Sequence, residues 1–318
     1  MIRSILGSER PSAVFFSAVL GVVLLIPILF SSDSFSANSS FLLPYLGILP
    51  TWLDRTLALL VVISSGIYGS YLFNKYEFFP QRNLFANFFI PAMIALGGVL
   101  SLQAPWVIGA PLLLRFADRC LAIQRSGKPN HLLFDAASLT GLLSLIYYPF
   151  IGLLVLIWVA YLYSGSANIK GFVITLITPL FVGYLVGGTL YLFGLPPWPE
   201  WQNWSRSAPA PLAWSDWLMV SSVLVTWIFS LPVYLGSFAS NKVVVKNHLI
   251  WTGWFWLILT AAAVIGPFGW AATISIAFAP IAFFFANLLM RLQRAWLSNA
   301  LFILLFSCWM VYLYANGF

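Results

Sequence analysis

Charged side chains are scarce in this chain. Only 7% of its 318 residues are Asp, Glu, Lys or Arg, against about a quarter in an ordinary soluble domain. That scarcity excludes a water-soluble fold. Cysteine and histidine are rarer still, two of each. Cys120 and Cys308 lie in or beside apolar stretches and carry no spacing that marks a disulfide framework. His131 and His248 have no Cys, Asp or Glu at ligand spacing, which argues against zinc or haem, so no metal and no cofactor are expected. No Gly-rich phosphate loop occurs. The net charge of +7 comes from residues dispersed over connecting segments, without a nucleic-acid-binding signature, and no nucleic-acid partner is expected. Carboxylates avoid the middles of the apolar runs. With no internal repeat evident either, an ion-driven carrier has little to work with.

Apolar residues fill the space that charge vacates. They make up 61% of the chain, with 15 Trp, 13 Tyr and 28 Phe, a composition suited to aromatic belts at two membrane interfaces. Hydrocarbon cannot hydrogen-bond a bare backbone, so apolar runs of this length read as helices. They cover 12–30, 55–73, 84–102, 106–122, 132–147, 151–163, 172–193, 217–235, 250–265, 271–289 and 296–314. The expected fold is therefore all-α, a polytopic transmembrane bundle of about eleven spans forming a single integral membrane domain, 1–318. The first run resembles a signal peptide but is long for one and reads as a retained helix. The fifth and sixth are short for a crossing of roughly 20 residues, so tilt or a partly re-entrant path is expected there. A hinge falls at Tyr147-Tyr148-Pro149.

Orientation follows from Lys and Arg. A cytoplasmic N-terminus places every basic residue except Arg55 and Arg206 on the cytoplasmic side, and the C-terminus then lies outside. Residues 194–214, rich in Pro and Trp, become an external loop.

Two stretches could carry chemistry. Arg115, Asp118, Arg119 and Arg125 recur at helical spacing at the end of the fourth run. Asp118 can pair with Arg115 along the helix, and Asp135 can face Arg119 across the following turn. One reading is a charge-paired structural unit of Arg115, Asp118, Arg119 and Asp135 at the cytoplasmic interface, in which loss of Asp135 would cost folded protein. The other is a phosphate or pyrophosphate site built on Arg115 and Arg119, whose forked donors match such oxygens. In the external loop Trp198, Trp201 and Trp204 recur every three residues. They read as interfacial anchors or as an aromatic lip for lipid or a sugar ring, with Glu200 or Asp216 as polar groups. Asp33 and Asp54 border the first external loop as caps or solvated charges. Gly183-x-x-x-Gly187 reads as a helix-packing face.

The segments NLFANFFIPAMIALGG and LLLRFADRCLAIQRSGKPNHLLFDAASLTGLLSLIYYPFIGLLVLIWVAYLYSG resemble a family of Bacteroidota inner-membrane proteins of unknown function, over about the middle half of the chain. That resemblance implies a multi-pass protein of the bacterial inner membrane. The rhythm of helix, basic loop, Gly-Leu helix, aromatic-Pro break and helix also resembles C-type glycosyltransferases that use polyprenyl-phosphate sugars. Those enzymes place an Asp or Glu in the first external loop, where Asp33 falls here. The acidic pair, the neighbouring Arg and the large periplasmic domain of that family are missing. Two functions follow. One is envelope biogenesis on a glycosyltransferase-like scaffold that handles a lipid-linked glycan, with Asp33, Glu200 or Asp216 as catalytic candidates. The other is a non-catalytic subunit of an envelope export or assembly complex. The corresponding partners are the lipid bilayer with a polyprenyl-linked glycan, or other membrane proteins.

Overall fold

The computed structural model describes residues 16–17, 19–23, 25–26, 49–79, 83–97, 101–102, 104–194, 213–240, 242–265, 274–292 and 294–317. Its α-helices are α1 (Thr51–Lys75), α2 (Phe85–Ala95), α3 (Pro105–Ile123), α4 (Asn130–Ile146), α5 (Leu153–Tyr163), α6 (Ile169–Leu192), α7 (Trp214–Ser240), α8 (Val243–Ile265), α9 (Phe278–Arg291) and α10 (Ala295–Gly317). There is no strand among the described residues. Among the described residues, five helices (α1, α6, α7, α8 and α10) are long and apolar enough to cross a membrane. Their outward faces are covered with exposed Leu, Ile, Phe and Tyr, a surface suited to lipid rather than water.

Two helices are shorter than the runs that the sequence suggests. Among the described residues, the run at 84–102 holds α2, and the run at 271–289 holds a helical stretch at 274–276, a turn at Ala277 and then α9. At 1.5 Å per residue these reach about 16 Å and about 21 Å, less than a hydrocarbon core of about 30 Å. Both are nearly enclosed by protein: every residue of α2 is buried, as are Phe278–Leu289 of α9. The α2 helix ends where Gly97 meets Trp106, since a Cβ at Gly97 would lie 2.5 Å from the indole nitrogen. Just before α9, Ser275 Oγ donates to the Met93 carbonyl of α2 at 2.8 Å. Phe89 and Phe285 then pack edge to face, with ring centroids 5.8 Å apart.

Small residues let α1 close over α2. A Cβ at Gly69 would overlap Ile90, and one at Gly66 would lie 2.9 Å from the Pro91 ring. Pro91 cannot donate to the Asn87 carbonyl one turn back, and that carbonyl rests against Gly66. On the other side, α9 packs against α7 and α8, and α7 against α10. The Trp309 indole of α10 donates to Ser222 of α7 at 3.3 Å.

The helix α4 stops at Ile146, Tyr147 is extended, and a 3-10 turn at Tyr148–Gly152 leads into α5, which agrees with the aromatic-Pro break. The Tyr147 hydroxyl donates to Ala262 of α8 at 2.9 Å, and the Trp251 indole of α8 donates to Leu156 of α5 at 3.1 Å. Each bond satisfies a buried polar group that lipid would leave stranded. The Gly183/Gly187 expectation holds for one of the two, since Gly187 is buried while Gly183 faces open space. Helices α4 and α6 approach closely at Gly141, where a Cβ would lie 3.0 Å from Val182 and 3.1 Å from Pro179.

Candidate functional site

The turn after α1 builds the most polar part of the bundle. Tyr76 closes the helix, and Glu77 takes a left-handed conformation with φ 53°. Phe78 N–H then donates to the Phe73 carbonyl at 3.2 Å and Glu77 N–H to Asn74 at 3.3 Å, the double bond of a Schellman end. Phe73 and Phe78 pack beneath it at 5.8 Å. Asn74 and Asn83 exchange two further bonds, side-chain nitrogen to carbonyl at 3.0 Å and backbone nitrogen to side-chain oxygen at 3.1 Å. The result is a fixed exit that turns Tyr76 inward and leaves Lys75 at the rim.

There Asp118 of α3 collects three donors. Lys75 Nζ lies 2.6 Å from Oδ1, the Tyr76 hydroxyl donates to the same oxygen at 2.9 Å, and Arg115 reaches Oδ2 at 3.1 Å. The carboxylate side chain is 4% exposed, whereas Lys75 and Arg115 are 38% and 46% exposed. The charge is thus held in a dry pocket while its cationic partners remain wet. Burial, reinforced by the Asp118 carboxylate, raises the pKa of the Tyr76 phenol, so it stays protonated and donates. Arg125 lies over the Tyr76 ring, 5.0 Å from its centroid, and Lys75 is 5.1 Å from the same centroid.

His248 of α8 completes the inner wall. It is fully buried and meets Tyr76 edge-on at 5.3 Å and Phe78 at 6.0 Å. Its ring approaches the Tyr76 backbone, but neither ring nitrogen completes a hydrogen bond among the described residues. Just beyond it lies a cavity of about 20 Å³, lined by apolar side chains including Phe73, Phe78, Leu114, Trp251 and Phe283, with Thr252 at its edge. It has room for about one water and no more.

The four-residue charge unit expected from the sequence divides in two. Asp118 belongs to the Lys75–Tyr76–Arg115 group, while Arg119 pairs with Asp135 across the α3–α4 turn at 3.3 Å. The Asp135 side chain is 42% exposed, so this second pair is a rim contact and not a buried one. Lys75 stands in the sequence as the first cation after a span, which hinted at the interface but not at its partner 43 residues away. Nothing in the pattern pointed to Tyr76 or His248.

The remaining candidates are scattered. Asp216 sits in the first turn of α7, where Oδ2 accepts the Ala213 N–H at 2.8 Å. Asp54 accepts the Leu102 N–H at 2.9 Å and so ties the start of α1 to the segment before α3. Asp33, Glu200, Trp198, Trp201 and Trp204 lie outside the described residues. Cys120 and Cys308 are unpaired thiols, and among the described residues no three His, Cys, Asp or Glu converge. No family model, curated protein or solved structure matches the chain.

Proposed function

We propose that this protein is a non-catalytic inner-membrane subunit of a cell-envelope export or assembly complex. One observation supports this reading above the others. The buried carboxylates of the described bundle are spent on the fold, Asp54 on a backbone N–H and Asp118 on Lys75, Tyr76 and Arg115. A carboxylate held this way is a poor general base, because its lone pairs are engaged by the fold and do not point at a substrate. The competing proposal, a transferase-like protein that handles a polyprenyl-linked glycan, draws on the sequence resemblance and on Asp33, Glu200 and the Trp198/Trp201/Trp204 loop. Purification from native membranes in mild detergent separates the two. A stable multi-protein assembly supports the subunit reading, and a lone chain carrying polyprenyl lipid overturns it.

The same proposal includes about eleven spans, a cytoplasmic N-terminus and an external C-terminus, on the strength of the Lys/Arg asymmetry. Topology reporters fused after Gly165 and after Phe318 should lie on opposite sides of the membrane. Both on one side would refute that arrangement.

A further inference from the structure

We propose that the rim formed by Lys75, Arg115 and Arg125 is a binding site for the phosphodiester headgroup of an anionic phospholipid. The inference is independent of the subunit and glycan readings, since either kind of protein could carry it. It starts from what the Asp118 group leaves over. Lys75 has three N–H donors and spends one on Asp118; Arg115 has five and, among the described residues, bonds to Asp118 and, at 3.5 Å, Tyr68. Arg125 makes no ion pair among the described residues and lies against the Tyr76 ring. The spare donors of Lys75 and Arg115 belong to side chains about half exposed. In the segments that carry this rim, 75–77 and 115–135, the cations Lys75, Arg115, Arg119, Arg125 and Lys128 outnumber the carboxylates Glu77, Asp118 and Asp135. The unspent chemistry is therefore that of an anion site.

Position decides the source of the anion. Lys75 is the last residue of a helix long and apolar enough to span, so its ammonium stands where hydrocarbon gives way to headgroups. One and two turns back toward the bilayer, Tyr71 and Tyr68 stack at 6.2 Å, and Tyr71 is exposed, as an interfacial aromatic would be. A lipid phosphate arrives at this depth already anchored, and the arginine forks match its oxygens. The Tyr76–Asp118 floor holds the cations in place before the lipid binds, which lowers the ordering cost of binding.

The test is native mass spectrometry of the full chain released from nanodiscs, with lipid retention measured for phosphatidylglycerol and phosphatidylcholine. Arg125→Gln is the decisive variant, because it leaves the bonds to Asp118 intact. Lys170→Gln, at the start of α6, makes the same change in net charge elsewhere, and thermal unfolding in detergent reports whether each variant is folded. Preferential retention of phosphatidylglycerol is expected, reduced about fivefold by Arg125→Gln and unchanged by Lys170→Gln, a factor typical of one cation at an anionic surface. Arg115→Lys, which keeps the charge and loses the fork, should give an intermediate loss. Equal retention of the two lipids, or equal loss in the Arg125 and Lys170 variants, would overturn the proposal. So would displacement of the lipid by millimolar inorganic phosphate, which would assign the site to a soluble anion.

Discussion

Helices α2 and α6 are built from similar residues and have opposite surroundings. All of α2, from Phe85 to Ala95, is buried, aromatic rings included. In α6 the buried residues are Gly171, Thr175, Thr178, Pro179 and Gly187, while Ile177, Leu180, Phe181 and Tyr184 face outward. A soluble helix would do the reverse. In lipid there is no gain in hiding Leu from its surroundings, so close approach and hydrogen bonding decide which face turns inward. Thr175 shows this directly, since its hydroxyl accepts the Trp158 indole N–H at 2.8 Å. The interior of this protein thus has an aromatic centre around α2 and α9, and a small-residue seam where α6 joins.

That contrast can be broken by substitution. A large loss should come from Asp118→Ala, which strands Tyr76, Lys75 and Arg115 together. Removing one partner from a buried ion pair costs about 3–5 kcal/mol, and the half-exposed cations place the loss near the lower end of that range. Thermal unfolding in detergent reads it, and a wild-type midpoint would mean that the pocket is wet. Phe89→Ala in α2 should cost a comparable amount, about 3–5 kcal/mol, through the cavity it leaves between α2, α9 and α10.

Gly66→Ala tests the closeness of α1 to α2. Its Cβ would sit 2.9 Å from Pro91, and relieving that overlap should cost about 1–3 kcal/mol. Full stability in this variant would show that α2 shifts freely. Asp135→Ala should cost no more than about 1 kcal/mol, because the Arg119 pair is at the rim and solvent screens it. A loss as large as that of Asp118→Ala would restore the single charge unit that the sequence suggested. The smallest effect belongs to Leu180→Ala on the outer face of α6, where Leu180 is 74% exposed. A change within about 0.5 kcal/mol is expected. A larger loss, in a chain purified with a partner, would mean that this face is covered by protein.

The helices themselves were legible from the run of residues. The apolar stretches at 55–73, 106–122 and 172–193 correspond to α1, α3 and α6, because water cannot hold so much apolar surface and lipid demands a helical backbone. The lengths of α2 and α9 were not. Their ends are set locally, by the contact of Gly97 with Trp106 after α2 and by the turn at Ala277 before α9, which hydropathy does not encode. The site was half legible. Arg115 with Asp118, and Arg119 with Asp135, follow from local spacing. Lys75, Tyr76 and His248 reach the same place from α1 and α8, and only the packing of those helices on α3 brings them there.

The sequence by itself determined a helical protein suited to a bilayer, the approximate course of its apolar runs, and the local pairs along α3 and its turn. These follow from transfer energies and from the period of a helix, both of which act residue by residue. Tertiary structure alone decided which helices are enclosed, which face of α6 turns inward, and that Asp118 is shared among α1 and α3 side chains. In a membrane the core and the surroundings are equally apolar, so hydrophobicity gives a helix no preferred side. Direction comes from shape and from polar groups that must find partners, and both depend on the neighbouring helix.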